Sequence, residues 1–253
     1  MDQKRHLISY VLGQPISATY LNPKLNSNQQ IRYDDLCQRL DSGEPLAYLL
    51  GSAEFWSLTL KVTPDVLIPR PETELLVEQA LSRFPEKSTI HVLELGTGSG
   101  TISIALKKER PHWKITATDK SSAALAIAKH NAETHQTDIE FVESDWFQSV
   151  ERQEFDLILS NPPYIAEDDP HLLGEIRYEP QMALQSGNDG LRDLRFIIQH
   201  AQEHLITDGI LLLEHGYDQG LAVQQLLKKQ GYQTVQTLKD IFGNDRVSSA
   251  TKG

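Results

Sequence analysis

The sequence predicts an α/β fold built on a mostly parallel sheet, and three observations carry that reading. From residue 89 onward, short apolar runs alternate with stretches of helical periodicity. The runs are near-continuous in apolar residues and flanked by breakers, as strands covered on both faces are. Helical stretches fill most of the gaps, which is what the crossovers between parallel strands require. At 253 residues and 39% hydrophobic content, the chain suits one such domain plus a smaller unit.

Taken in order, residues 1 to 50 read as a small helical domain. Leu7, Ile8, Val11 and Leu12 share a helical face, Asn22-Pro23 breaks the pattern, and Ile31, Tyr33, Leu36 and Leu40 resume it. Between 51 and 70 the stretch GSAEFWSLTLKVTPDVLIPR changes period. Phe55, Leu58, Leu60 and Val62 fall at mostly two-residue spacing and Thr63-Pro64-Asp65 signals a turn, so a β-hairpin linker is predicted. Pro71-Glu72-Thr73-Glu74 then opens an amphipathic helix through Leu75, Leu76, Val77 and Leu81, with proline and acids where a helix N-terminus favours them. This begins the third unit, 71–253. Its predicted strands are 90–95, 114–118, 139–142, 155–160, 210–214 and 232–237.

Directly after the first of these strands stands Gly96-Thr97-Gly98-Ser99-Gly100, followed by a helical run. Glycines there allow a tight turn and a close backbone approach to a ligand, and the helix beyond offers free N–H groups. A dinucleotide fingerprint needs its third glycine three places after Gly98, where Thr101 stands instead. Gly-x-Gly-x-Gly with Glu94 two residues ahead matches the pattern of enzymes that use S-adenosyl-L-methionine, a nucleoside carrying a cation and no pyrophosphate.

The next strand ends in Asp119. An acid at that tip can accept from both ribose hydroxyls of a nucleoside, or cap the helix that begins near Ser121. The third strand leads into Asp145-Trp146, where an indole can cover an adenine face and the carboxylate can accept from its amino group; core packing is the other reading of Trp146.

The fourth strand runs straight into Asn161-Pro162-Pro163-Tyr164. Two prolines end any ladder and stiffen the chain at the rim where ligands of open α/β sheets sit. The Asn161 side-chain oxygen and the Pro162 carbonyl can each accept one hydrogen of a planar NH₂ group, with Tyr164 packed against that plane. Asn161, Pro162 and Tyr164 are therefore the predicted catalytic residues, and Asn161, Pro162, Pro163 and Tyr164 the acceptor site. Two fixed acceptors favour charge build-up on a weakly nucleophilic nitrogen as a methyl group arrives.

The chain resembles the peptide chain release factor N5-glutamine methyltransferases. The segments that carry the resemblance are GEPLAYLLGSAEFWSL at 43–58, LIPRPETELLVEQAL at 67–81, LELGTGSGTISIAL at 93–106 and SNPPYIAEDDPHL at 160–172, joined by LLLEHG at 211–216 and NDRV at 244–247. IPRPETE is the most specific of them, because Asn-Pro-Pro-Tyr alone is shared with nucleic-acid amino-methyltransferases. The resemblance implies a Rossmann-like class I methyltransferase domain with seven strands, the last antiparallel, behind a helical domain that recognises class I release factors. It implies S-adenosyl-L-methionine as methyl donor, S-adenosyl-L-homocysteine as product, and N5-methylation of the Gly-Gly-Gln glutamine. By position, Gly96, Thr97, Gly98, Ser99, Gly100, Asp119, Trp146 and Asn161 would contact the donor, and Asn161 to Tyr164 the glutamine. Family members begin with a further helix before the segment matching DQKRHLISYVLG, so this chain is expected to be short at its N-terminus.

Composition bears on the rivals. A net charge of −11 without a dense Lys/Arg run argues against nucleic acid as partner, and so against methylation of adenine N6 or guanine N2. A non-catalytic module on the same fold is the other alternative, which Asn161 and Asp119 speak against. The single cysteine, Cys37, excludes an intrachain disulfide. With no long apolar stretch and no secretion signal, a cytoplasmic monomer away from membranes is expected. No metal is expected either: His200 and His204 have helical i, i+4 spacing but no third ligand, and read as a solvated face. Arg70 is open between two roles, a wall of the donor pocket or a carboxylate anchor from the hairpin to the sheet.

Overall fold

A computed structural model of the chain describes residues 3–21, 23–151 and 154–253. The N-terminal helices are α1 (Gln3–Leu12), α2 (Ser27–Asp41) and α3 (Leu46–Leu50), which close on a small core of Leu7, Val11, Leu36 and Leu49. Asn26 caps α2 in a reciprocal box with Gln29. Ile31, expected to lead into this core, is 69% exposed instead. In a helix whose apolar stripe is narrow, Leu36 faces inward and Ile31 does not.

Strands β1 (Ser52–Phe55) and β2 (Leu58–Lys61) form the expected hairpin. Its two-residue turn, Trp56-Ser57, has φ of 50° and 59°, a conformation usually given to Asn-Gly. Trp56 is held there from outside: its backbone N–H donates to Glu74 at 2.8 Å and its indole N–H to Glu109 at 2.8 Å. A one-turn 3₁₀ segment, Pro71–Thr73, leads into α4 (Glu74–Arg83).

The remaining elements are β3 (His91–Leu95), α5 (Thr101–Glu109), β4 (Lys114–Asp119), α6 (Ser122–Thr134), β5 (Glu140–Glu143), β6 (Phe155–Ser160), α7 (Arg192–His200), β7 (Leu205–Glu214), α8 (Gly220–Lys229), β8 (Gln233–Lys239) and β9 (Asp245–Thr251). They build a seven-stranded sheet in the order β5-β4-β3-β6-β7-β9-β8, with β9 antiparallel to both its neighbours. Leu157, Leu159 and Leu212 pack one face against α4 and α5. Ile158, Leu211 and Leu213 pack the other against α7 and α8. Alternate residues of one strand thus serve two cores, which is why these strands are apolar throughout.

The residue pattern missed β9 because DRVSSAT has little apolar content. Ser248 and Ser249 are nonetheless buried, and the Ser248 hydroxyl bonds His215 Nε2 at 2.9 Å and the Thr237 hydroxyl at 2.9 Å. Strand β7 also starts earlier than predicted, at Leu205, with an irregular register against β6. No helix among the described residues is long and apolar enough to cross a membrane.

Buried Asn131 ties the hairpin to the sheet domain. Its Oδ1 accepts from Lys61 N–H at 2.8 Å, and its Nδ2 donates to the Lys61 carbonyl at 3.0 Å and to the Ser99 carbonyl at 2.9 Å. Asn131→Ala is expected to lower the unfolding free energy by about 2–4 kcal/mol in urea titrations, because three backbone groups lose their partner together. A loss below about 1 kcal/mol would mean that these bonds carry little of the hairpin's attachment.

Candidate active site

The parallel strands β3, β4 and β6 end on one rim, and there the structure gathers most of the predicted site. A cleft of about 390 Å³ opens beside the glycine turn. Of the residues named from sequence, Gly96, Thr97, Gly98, Ser99, Asp119, Trp146, Asn161 and Pro163 line it. Gly100 does not. A Cβ there would stand 3.0 Å from Ile104 Cδ1 and 3.2 Å from Ala128 Cβ, so this glycine lets α5 and α6 approach each other. Gly98, by contrast, has nothing within 4 Å where its Cβ would lie, which leaves its backbone bare to the cleft.

The turn is held by two acids. Glu94, buried below it at the end of β3, accepts from the Thr97 hydroxyl at 2.8 Å, from the Ser103 N–H at 3.1 Å and from the Ser103 hydroxyl. Burial pushes its carboxyl up to about 7, against the opposing pull of these donors. Asp119, at the tip of β4, accepts from Gly98 N–H at 2.8 Å and from Ser121 N–H at 2.9 Å. Burial raises its pKa, and the backbone donors oppose that. The helix cap proposed for Asp119 belongs to Ser121, whose side chain accepts from Ala124 N–H at the start of α6. Each Asp119 oxygen keeps a lone pair for a ligand.

Trp146, with φ of 54°, sets its ring over Gly96, where an added Cβ would meet it at 3.6 Å. It lines the cleft and also packs on the core beneath. Asp145 is paired with Lys120 at 2.6 Å, and both line the cleft.

Asn161 stands between this cleft and a second cavity of about 150 Å³, lined by Pro162, Tyr164, Leu67, Arg70 and Ile176 among others. Pro163 faces the larger space and Pro162 the smaller, as successive residues of an extended segment must. The Asn161 amide is oriented by Thr73, whose hydroxyl accepts from Nδ2 at 3.1 Å, leaving Oδ1 as the acceptor. Sequence reading missed Thr73 as a site residue, although it sits within IPRPETE. It also left Glu94 out of the site, although its place before the turn was the available signal.

Arg70 lines both cavities and pairs with Glu179, which also accepts from Ile68 N–H at 3.0 Å. The anchor is thus the segment after Tyr164 rather than the sheet. His204, expected on a solvated face, is 8% exposed and stacks on Phe147 with ring centroids 4.7 Å apart. Among the described residues no group of three or more His, Cys, Asp or Glu could hold a metal ion.

Comparisons with known proteins agree on a family. Residues 4–51 match the family described as PrmC N-terminal domain, and residues 72–189 match Methyltransferase small domain. The release factor glutamine methyltransferase of Coxiella burnetii is 46% identical over 92% of this chain and 84% of its own. That of Salmonella typhimurium is 47% identical over 96% and 88%. Among solved structures, a methyltransferase from Pyrococcus furiosus superposes with a TM-score of 0.60 at 20% identity, covering 90% of this chain and all of its own, a likeness of fold.

Two buried carboxyls shifted upward, Glu94 and Glu214, each to about 7, set an expected pH dependence of stability. The folded state binds their protons more tightly than the unfolded chain, so stability falls as pH rises from about 4.5 to about 7. Urea midpoints across that range should decline, and Glu94→Gln should flatten the decline. An unchanged slope in the variant would mean that Glu94 does not titrate there.

Proposed function

The chain belongs to the release factor glutamine methyltransferases, and from that premise we propose that it methylates the side-chain amide nitrogen of the Gly-Gly-Gln glutamine in class I peptide chain release factors, with S-adenosyl-L-methionine as donor. The observation that carries the reading is the place of Asn161, one side chain shared by a cleft at the glycine turn and a cavity at Pro162 and Tyr164.

The larger cleft suits the donor. Its lining sets five acids, Asp65, Glu94, Asp119, Asp145 and Asp193, against three cations, Arg70, Lys120 and Arg192, an acidic excess that suits a sulfonium cation better than a pyrophosphate. The bare backbone at Gly98, the acceptor sites left on Asp119 and the Trp146 ring would hold the nucleoside. When bound, S-adenosyl-L-methionine supplies an electrophilic methyl group and leaves as S-adenosyl-L-homocysteine.

The chain's own part is to present the nitrogen. An amide nitrogen is a poor nucleophile because its lone pair is delocalised into the carbonyl. Asn161 Oδ1 and the Pro162 carbonyl would accept its two hydrogens, and partial positive charge growing on nitrogen strengthens both bonds as the N–C bond forms. The adjoining prolines fix these acceptors in advance, so little reorganisation is needed at the moment of transfer. Tyr164 walls the amide plane and Arg70 lies beside it. The electron pair of the broken S–C bond stays on sulfur, and one N–H proton passes to water.

Mass spectrometry of a purified class I release factor incubated with the protein and the donor tests this, with an adenine-containing DNA duplex in parallel. A single methyl group on the Gly-Gly-Gln glutamine is expected; methyl on DNA alone would reassign the acceptor. Asn161→Ala should lower turnover by about a hundredfold or more while the donor dissociation constant changes by less than about threefold. Asp119→Ala should weaken donor binding in calorimetry by about tenfold or more, since it removes a charged acceptor and loosens Gly98. An unaltered constant would confine Asp119 to holding the turn.

A further inference from the structure

The segment 161–164 is stiffened by its two prolines only in part. A proline ring fixes φ but leaves ψ free, and it removes the N–H that could tie the segment to a neighbour. Such a segment keeps one shape only if it is held at both ends. The near end is held by β6, where Ser160 stands opposite Leu95 and Leu213 in the sheet and its hydroxyl donates to the Leu95 carbonyl at 2.7 Å. The far end is the peptide between Tyr164 and Ile165. Its N–H donates to the Leu184 carbonyl at 2.9 Å, on an irregular stretch, and its carbonyl is held from the loop between β7 and α8.

Gln219, the last residue before α8, spans two backbone groups with one side-chain amide. Its Nε2 donates to the Tyr164 carbonyl at 2.9 Å, and its Oε1 accepts from Gly216 N–H at 2.9 Å. The partners have fixed polarity, a carbonyl that only accepts and an N–H that only donates, so the amide can sit only this way round. Gly190, with φ of 71°, leaves the room for it: a Cβ there would overlap the Tyr164 carbonyl oxygen and stand 2.7 Å from Gln219 Nε2. The Tyr164 hydroxyl also reaches Glu214 Oε1, but at 3.3 Å, so the carbonyl is the firmer hold on this residue. Gln219 itself lines neither cavity.

We propose that Gln219 is a positioning residue of the acceptor clamp: by holding the Tyr164 carbonyl against the loop after β7, its amide fixes the far end of segment 161–164, and with it the Pro162 carbonyl and the Tyr164 ring. The proposal rests on the methyl-transfer reading above and adds to it a residue outside both cavities. Without the hold, the segment can turn about the ψ angles of Pro162, Pro163 and Tyr164, and the Pro162 carbonyl loses the direction in which it would meet the acceptor N–H. Because that bond strengthens as charge grows on the nitrogen, the loss falls on the rate of transfer more than on binding. A role confined to the shape of the loop would act instead through the bond from Gly216 N–H. Chemistry separates the two: Gln219→Glu keeps the acceptor and loses the donor, whereas Gln219→Lys keeps a donor and loses the acceptor.

Single-turnover methylation of a release factor at pH 8, with donor and release factor saturating, provides the test, beside calorimetric donor affinity and amide hydrogen exchange of the peptide spanning 160–167. Gln219→Glu should lower the rate by about tenfold or more, leave the donor dissociation constant within about twofold, and speed exchange in that peptide. Gln219→Lys should keep the rate within about threefold of the wild type and leave the exchange unchanged. Gly190→Ala, which pushes at the same carbonyl, should slow transfer as Gln219→Glu does, and the two together should be no worse than either alone. A wild-type rate in Gln219→Glu would overturn the proposal, as would equal losses in Gln219→Glu and Gln219→Lys, which would confine Gln219 to shaping its own loop. If Gln219→Glu does not fold, Gln219→Ala takes its place, and a rate in Gln219→Lys as low as in Gln219→Ala would overturn the proposal. Should the wild type itself transfer no methyl group while still binding the donor, the functional reading fails, and exchange alone decides the hold: faster in Gln219→Glu than in Gln219→Lys sustains it, equal in both overturns it.

Discussion

A turn built on glycines with φ of 71°, 55° and 82° has no side chains at those positions with which to keep its shape, so acids outside it do the keeping. Glu94 grips it from below through Thr97 and Ser103, and Asp119 grips it from the side through Gly98. Everything else on the rim takes its place from this hold. The Trp146 ring rests on Gly96, α5 starts from Gly100 without a side-chain cap, and Asn131 reaches the Ser99 carbonyl to bring the hairpin in. Burying Glu94 costs stability at neutral pH, and it leaves the upper surface of the turn to the cleft alone.

The two most specific motifs lie far apart in the chain and meet through side chains. IPRPETE contributes Thr73 to Asn161 and Arg70 to Glu179, while Ile68 N–H also bonds Glu179. The segment after Tyr164 is thereby stitched to the non-strand stretch that precedes α4, and it reaches the helical domain as well, through Arg177 and Tyr178 to the Ser42 carbonyl. This explains in physical terms why the pair of motifs says more than Asn-Pro-Pro-Tyr alone. IPRPETE supplies walls to both cavities and orients the asparagine.

Legibility in the sequence followed the strength of local signals. Strands β3, β4 and β6 and the glycine turn were readable because continuous apolar runs ending in breakers have few other solutions. The seventh strand was not readable from its residues: its interior is Ser-Ser-Ala, buried by hydroxyl pairing instead of apolar bulk, and only the family resemblance supplied it. The Trp56-Ser57 turn was hidden because its positive φ values are imposed by Glu74 and Glu109 from other elements. His204 looked solvated because periodicity places a residue on a face but does not say that Phe147 will cover it. Thr73 carried no chemical signal of its own, since a threonine gains a role only from the neighbour it bonds.

The insertion of β9 between β7 and β8 has a consequence for how the protein comes into being. Both neighbours are made before it, yet neither pairs with the other. On the ribosome, β7 keeps one open edge and β8 two until residues 245–251 have emerged. Five parallel strands can assemble as they appear, but the sheet is completed by a late strand wedged into a waiting gap. The nascent chain thus passes through a stage with unpaired edges, which is when crowded synthesis carries the greatest risk of aggregation.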